Sequence, residues 1–262
     1  SSFMVADKVE VVSKKVGMKN ANGWKSDGKT GFEIYDAQRE DFGTTIKVYL
    51  NNDGLEFANK WQIENVIKKY SNHIPYPIHL HYEEEVGEGD DKKVEAKVDQ
   101  VNSASAFWKR PKSSIKKNEY NEFYSSFTND NEEPLLYMHT QAEGTLDYTT
   151  LFYIPSKAPF DLFNTEYKAG VKLYVKRVFI TDDNKELMPS YLRFVKGVID
   201  SEDIPLNVSR EMLQHNQVLS KIRSNSVKKV LDEIKKMSKD HDLYTKFFDE
   251  FGKPIKEGLY QD

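Results

Sequence analysis

The residues best suited to chemistry lie in the run 200–214, which reads DSEDIPLNVSREMLQ. Asn207 or Ser209 can act as the N-cap of a following helix, and Arg210 then stands at the helix start. Gln214 comes one helical turn later and shares a face with Arg210. An Arg fork beside free amide donors and a positive helix end is suited to binding a phosphate. On spacing alone, an ordinary surface salt bridge to a neighbouring acidic residue is the commoner role for such an arginine.

Other side chains give little support for metal or nucleophilic chemistry. The absence of Cys removes disulfides, thiolate ligands and cysteine nucleophiles. Among the six His only His79 and His81 are close in sequence. Zinc sites need about three or four organised ligands, so we expect no metal site. Neither a G-x-S-x-G elbow nor a Walker A motif occurs.

Composition narrows the class of protein further. The 38 Lys and Arg against 42 Asp and Glu give a net charge of -4, whereas nucleic-acid-binding proteins usually carry a basic excess. No stretch approaches the roughly 18 uninterrupted apolar residues of a membrane span. With 15 Phe, 15 Tyr and 3 Trp, the chain has the aromatic residues for a real core. We therefore expect neither a nucleic-acid nor a membrane partner.

Residues 1–80 have the pattern of strands followed by one helix. Apolar residues alternate with polar ones around Val9 and Val11, and again over 46–50, and Phe32–Tyr35 is a third short apolar run. Helical spacing then connects Phe57 with Tyr70. No partner helices follow that would cover the sheet, so we expect part of a domain, with the sheet partly uncovered.

Residues 83–91 hold six acids and two glycines, and like-charge repulsion and glycine entropy both oppose order. We therefore predict a charged, flexible linker over 81–100, which divides the chain. A mixed α/β domain over 101–262 follows.

This second domain has clearer elements. Tyr120, Phe123, Tyr124 and Phe127 form an aromatic helical stripe. We predict strands over 135–140, 147–154 and 171–180, a strand or turn over 191–198, and helices from 218 onward. We expect Gly252 and Pro254 to end the last helix. A Pro-bounded loop over 155–163 carries apolar groups that look exposed.

The run 200–214 resembles the middle-domain signature of the ninety-kilodalton heat-shock chaperones, in a bacterial type with a short linker. Other segments resemble the family in the same order: SFMVADKV (2–9), DFGTTI (41–46), KYSNHI (69–74), FWKR (107–110), EYNEFY (119–124), YIPSKAPFDLF (153–163) and KRVFITDD (176–183). Together they cover essentially the whole chain.

The resemblance implies a fold and a set of domains. The fold class is α/β (α+β): an incomplete GHKL (Bergerat) sheet segment followed by an α/β/α middle domain with a helical C-terminal extension. Residues 1–80 would end the nucleotide-binding domain and 81–100 would be the linker. The middle domain would comprise an α/β sandwich to about 215, a helical extension over 216–252 and the start of a further small subdomain.

It also implies an activity. The family are cytoplasmic, homodimeric stress-response chaperones that hydrolyse ATP with Mg and bind unfolded client proteins and cochaperones. Arg210 matches the arginine supplied to the γ-phosphate, Gln214 its neighbouring glutamine, and Asn207 an asparagine that orients the loop. Thr44 matches the adenine-pocket threonine, with Val11 and Ile46 as apolar walls.

The same resemblance places client binding at Trp108 and at the loop bearing Phe160, Leu162 and Phe163. Trp108 equally fits a core anchor of the second domain. The dimer would form through a C-terminal domain that is not among these residues.

The family's Mg-binding Asn, catalytic Glu, adenine-binding Asp and glycine-rich lid have no counterpart in these 262 residues. An arginine clamp stabilises transferred charge but cannot by itself bind Mg-ATP or orient water. We therefore expect the chain alone to bind ATP poorly and to be inactive.

The alternative function is a non-catalytic client- or cochaperone-binding module. A DNA-repair or topoisomerase relative is disfavoured, since such proteins place a lysine on the γ-phosphate.

Overall fold

The computed structural model describes residues 2–86, 93–164, 167–182, 187–206 and 216–261. Within it the chain divides into two compact units. The first unit comprises Ser1–Ile67 and Leu80–Asp99, and the second unit comprises Lys68–His79 and Gln100–Asp262. The fold is mixed α/β, with three sheets and helices toward the C-terminus.

The first unit is built on a four-stranded antiparallel sheet in the order β3-β2-β1-β4. Its strands are β1 (Ala6–Lys14), β2 (Ala21–Ser26), β3 (Phe32–Ala37) and β4 (Gly43–Leu50). Helix α1 (Lys60–Ser71) follows. Three of these strands were predicted, but β2 was not. It contains Gly23, where an added Cβ would lie 2.2 Å from the ring of Tyr35 on the neighbouring strand. The glycine therefore leaves room for that ring.

One face of this sheet exposes apolar side chains. Strand pairing aligns Trp24 with Val11 and with Ile34, and Val11 in turn with Ile46, so these residues share a face. The exposed fractions of Phe32, Ile34 and Ile46 are 69%, 67% and 61%. Among the described residues this face is thus partly uncovered, as the sequence predicts, although Val9 on the same face is buried.

The predicted flexible linker contains two strands. Strands β5 (His79–Val86) and β6 (Lys93–Gln100) pair as a two-stranded sheet. Two contacts cross between these strands. Lys97 pairs with Glu84, which offsets part of the acidic charge, and the Tyr82 hydroxyl donates to Asp99 over 2.7 Å. The two flanks of the predicted linker therefore form strands, and its flexibility stays a prediction. Residues 87–92 between them lie outside the described residues, and the domain boundaries stay a prediction.

The second unit contains a five-stranded sheet in the order β10-β9-β11-β8-β7. Its strands are β7 (Leu136–Ala142), β8 (Tyr148–Ile154), β9 (Gly170–Val175), β10 (Val178–Thr181) and β11 (Lys196–Ser201). Strand β11 is antiparallel to β8 and parallel to β9. The single strand predicted over 171–180 is in fact a hairpin, because Lys176 and Arg177 adopt φ angles of 50° and 66° and turn the chain.

Helices cover both faces of this sheet. On one face α2 (Lys117–Thr128) buries Tyr120 and Tyr124 against the strands. On the other face lie α3 (Gln217–Met237) and α4 (His241–Glu257), with Phe251 of α4 stacked on Phe194 at 4.5 Å between ring centroids. Alternate strand residues point to opposite faces, so the two cores share one sheet.

From the sequence, Gly252 and Pro254 are predicted to end the last helix, and this prediction is wrong. Helix α4 continues past both residues to Glu257. Both residues are buried within it. Pro254 removes one amide donor near the end of the helix, and the burial of its ring and of Phe251 offsets that loss.

Candidate functional site

The end of strand β11 places a buried carboxylate on the α2 side of the sheet. Val198 and Asp200 share this face because they are two residues apart in the strand, and Val198 packs in the α2 core. Asp200 is fully buried. Its Oδ2 accepts a hydrogen bond of 2.8 Å from the Trp108 indole Nε1–H, and its Oδ1 accepts one of 3.1 Å from the backbone N–H of Arg177. Every carboxylate oxygen therefore has a donor.

A polar cleft of about 580 Å³ adjoins this carboxylate. Lys109 and Arg177 line it together with acidic residues that include Asp147 and Glu202. The Lys109 ammonium lies 2.8 Å from Glu202 and 3.9 Å from Asp200. Burial raises the pKa of Asp200, while the Trp108 hydrogen bond and the Lys109 charge act in the opposite direction. The site thus holds a desolvated acid between organised donors.

The chain stays anchored for several residues beyond β11. Glu202 N–H donates to the Asp147 carbonyl over 3.0 Å, and Asp147 N–H donates to Oδ2 of Asp203 over 2.7 Å. Asp203 N–H in turn donates to Ser201 Oγ, and Ile204 is fully buried. The position of the chain is therefore fixed through residue 204.

The three residues predicted for phosphate chemistry, Asn207, Arg210 and Gln214, lie outside the described residues. Their roles, and the alternative of a surface salt bridge from Arg210, stay predictions. The described structure ends at residue 206 on their N-terminal side and resumes at residue 216.

Trp108 is the anchor of a core and not part of an exposed surface. Its side chain is fully buried, with its ring centroid 4.8 Å from that of Tyr174 and 4.7 Å from that of His73. The Nε2 of His139 lies 2.7 Å from the Trp108 carbonyl oxygen. Of the two roles predicted for Trp108, the structure supports the core anchor, because a client protein cannot contact a side chain without exposed surface.

The loop 158–163 presents two phenylalanines. Phe160 is fully exposed at 102% and Phe163 is exposed at 57%, whereas Leu162 is fully buried. The loop is held at both ends, since Ala158 N–H donates to Glu250 over 2.7 Å and Arg193 Nε donates to the Leu162 carbonyl over 3.0 Å. Two of the three predicted loop residues are accessible to a partner, and Leu162 instead packs the core beneath them.

The residues predicted for the adenine pocket lie together in the first unit. Val11 is directly opposite Ile46, and Thr44 is opposite Ser13 in the same pair of strands. The hydroxyls of Ser13 and Thr44 are 2.8 Å apart. Because the three predicted residues occupy alternate positions, they share the uncovered face of the sheet. The strand register thus brings them together.

The described residues contain no group of three or more His, Asp and Glu side chains that could hold a metal ion. His79 and His81 both lie in β5 and are exposed. Within the same part of the chain, no helix combines the length and apolar character that a bilayer crossing demands.

The sequence reasoning did not single out Asp200, Lys109 and Arg177. The alternation over 196–201 could have shown that Asp200 shares a face with Val198. Nothing local predicts its indole donor, which lies 92 residues earlier in the chain.

Comparison with known proteins identifies the family. A sequence model of the Hsp90 protein matches residues 83–262, which is more than half of the chain. The chain is 60% identical to a chaperone protein HtpG of Helicobacter pylori over an alignment of 266 residues, which covers 100% of the chain and 43% of that relative. Chaperone proteins HtpG of Borreliella burgdorferi and Wolinella succinogenes are 54% and 53% identical, again over 100% of the chain.

The chain spans less than half the length of these curated relatives. The matched region includes helix α2, the five-stranded sheet, helices α3 and α4 and the run that carries Arg210. The chain belongs to the Hsp90 protein family.

Proposed function

We propose that the chain is part of an ATP-dependent molecular chaperone in which Arg210 contacts the γ-phosphate of ATP. The observation that carries this proposal is the family match over 83–262, which includes the run 200–214 with Arg210, Gln214 and Asn207. A guanidinium fork stabilises the charge that develops on a transferred phosphoryl group. Gln214 and Asn207 are proposed to orient that arginine.

The domain assignment belongs to the same proposal. Residues 1–80 would form the end of a GHKL (Bergerat) nucleotide-binding domain, 81–100 a linker, and 101–262 an α/β/α middle domain with its helical extension. The uncovered face that carries Thr44, Val11 and Ile46 supports a nucleotide domain of which this sheet is one part. ATP and Mg are the cofactors of the longer protein, a cytoplasmic homodimer joined through a further C-terminal domain.

The decisive experiment is Arg210→Ala in the full-length protein that contains this chain, with ATP turnover and nucleotide affinity measured separately. A transition-state contact predicts a loss of turnover on the order of a hundredfold, with nucleotide affinity largely kept. Arg223→Ala, in helix α3, is the matched control and should keep normal turnover. Unchanged turnover in Arg210→Ala would show that the assigned role is wrong.

The chain alone is proposed to be inactive, because the residues that bind Mg-ATP in the family have no counterpart in it. Calorimetric titration of the isolated chain with Mg-ATP should give no tight binding. Turnover by the isolated chain above that of its Arg210→Ala variant would contradict this.

A second function, client or cochaperone binding without catalysis, is favoured by the loop 158–163. Phe160 is fully exposed at the tip of a loop whose ends are tied down, which suits an apolar contact with an unfolded client. Phe160→Ser should weaken binding of a denatured model protein to the chain. Tyr260→Ser removes an exposed aromatic ring elsewhere in the second unit and is the control. Equal binding by both variants and the original chain would exclude the loop.

A further inference from the structure

We propose that Asp200 is a positioning residue that fixes where the chain leaves strand β11 on its way to Arg210. The inference rests on the proposed function, since it assigns Asp200 a task in the delivery of that arginine. Asp200 itself lies ten residues before Arg210 and touches no nucleotide in this assignment.

The first argument is the origin of its partners. The donors to Asp200 come from segments that are far apart in the chain: Trp108 precedes helix α2, and Arg177 lies in the turn between β9 and β10. The Lys109 ammonium, 3.9 Å away, adds a nearby positive charge. One carboxylate therefore joins two segments, the turn that carries Trp108 and Lys109 and the turn between β9 and β10, to the end of β11.

The second argument is the backbone of the turn that faces Asp200. Lys176 and Arg177 are both in the left-handed region, which non-glycine residues rarely occupy. Two contacts hold this turn against the end of β11: Lys176 N–H donates to the Ser201 carbonyl over 3.0 Å, and Arg177 N–H donates to Asp200. Such backbone conformations persist when their surroundings determine them.

The third argument is the continuity of the anchoring. Beyond Asp200 the chain is held as far as the buried Ile204: Asp203 N–H donates to Ser201 Oγ, and Asp147 N–H donates to Asp203 Oδ2. Hydrogen bonds therefore hold each stretch of the chain between Asp200 and the point where it leaves β11. A shift of the carboxylate is therefore transmitted along the strand.

A small shift matters because a transition-state contact depends steeply on distance. A displacement of about 1 Å can cost roughly a hundredfold in rate. A buried carboxylate that loses a donor must move or recruit water, since an unpaired buried charge is costly. The same network would serve stability alone if Asp200 were only a core polar group, so the test must separate these two roles.

Two variants and one control make that separation. Asp200→Asn keeps one oxygen for Trp108 but sets an amide N–H₂ against the N–H of Arg177. Trp108→Phe keeps an aromatic ring and removes only the indole donor, so it is the milder variant. Tyr153→Phe removes another buried donor of the same core, the 3.0 Å bond to the Tyr120 carbonyl, without touching Asp200.

Amide hydrogen exchange of the chain reports how firmly the residues just after β11 are held. In Asp200→Asn and Trp108→Phe the amides of Arg177, Glu202 and Asp203 should exchange roughly tenfold faster, the factor expected for about one lost hydrogen bond. In Tyr153→Phe the exchange rates of these three amides should be unchanged, even where the variant loses as much global stability as the other two. Acceleration at these amides in the control as well, or in none of the variants, overturns the proposal.

Turnover of the full-length protein tests the link to Arg210. Asp200→Asn should lower kcat roughly tenfold or more, with nucleotide affinity unchanged, and should have no further effect in an Arg210→Ala background. A further loss in that background, or a kcat no lower than that of Tyr153→Phe, overturns the inference and leaves the proposed function standing. Normal turnover in Arg210→Ala alone overturns the proposed function, and the inference falls with it.

Discussion

Arg193 and Glu257 form a bidentate ion pair that joins a turn before β11 to the last turn of α4. Nη1 and Nη2 of Arg193 lie 2.6 Å and 2.9 Å from the two carboxylate oxygens of Glu257. The same guanidinium donates to the carbonyls of Leu162 and Ser190. One side chain therefore ties helix α4 to the base of the loop 158–163.

Arg193→Ala should lower the free energy of unfolding by about 1–3 kcal/mol, because two carbonyls and a carboxylate lose their donor. Urea unfolding followed by circular dichroism measures this. The control is Lys157→Ala, which breaks an exposed ion pair with Glu132 just before this loop and should cost less than about 1 kcal/mol. Equal losses in both variants would contradict the role assigned to Arg193.

The loop 158–163 offers a matched pair of apolar substitutions. Leu162→Ala should cost about 2–5 kcal/mol because it leaves a cavity in a closed core, whereas Phe160→Ser should change stability by no more than about 0.5 kcal/mol. Thermal unfolding of both variants provides the measurement. A large loss in Phe160→Ser would mean that this ring packs against the protein in solution.

Stability should decrease on mild acidification because of two half-buried imidazoles, those of His73 and His139. Burial lowers the pKa of His139, and the charge of Lys112 acts in the same direction, while the hydrogen bond to the Trp108 carbonyl opposes both. Burial also lowers the pKa of His73, with Lys172 acting in the same direction and with Ser105 and Asp200 opposing it. The unfolded chain takes up these protons near pH 6.5, at about the ordinary imidazole pKa. Stability is therefore full above that pH and is lost as the pH falls through it toward the lowered pKa of the folded state.

The variant that checks this is His139→Gln, which keeps polar atoms near Trp108 and Tyr120 but does not titrate in this range. Urea unfolding between about pH 7.5 and 5.5, around the ordinary imidazole pKa, should show a shallower loss of stability in His139→Gln than in the original chain. The exposed His79→Gln is the control. An unchanged slope in His139→Gln would show that its imidazole does not contribute.

The uncovered face of the first unit should bind apolar dyes. Replacing Phe32, Ile34 and Ile46 together with Thr keeps residues that favour strands while removing most of the exposed apolar surface. Fluorescence of 8-anilinonaphthalene sulfonate should fall strongly, and the circular dichroism spectrum should be kept. Phe160→Ser, which removes a single exposed ring elsewhere, should reduce the signal far less. Unchanged dye binding in the triple variant would place the apolar surface elsewhere.

Periodicity predicted the strongest elements because a single buried face imposes it. The aromatic stripe of α2 and the strands β7 and β8 were found from sequence within about two residues. Strand β2 was missed, since Asn22 and Gly23 are poor strand formers and are held only by neighbours on both sides. The same limitation explains the continuous strand predicted across Lys176 and Arg177, where no glycine signals the turn.

The candidate site was only partly accessible to sequence reasoning. The family resemblance named Val11, Thr44 and Ile46, and the strand register places these three residues on one face of the sheet. Burial could not be read locally for Trp108 and Leu162, because an apolar residue in a loop-like stretch has the same local pattern whether it faces solvent or a distant strand. The hydrogen bond from Trp108 to Asp200 depends on tertiary packing alone.

The central position of β11 has a consequence for synthesis on the ribosome. Before residues 196–201 emerge, β7–β8 and β9–β10 are two separate hairpins, because only β11 joins them into one sheet. During that interval each hairpin has an unpaired edge of the kind that invites association between chains. The emergence of β11 from the exit tunnel therefore closes one open edge on each hairpin.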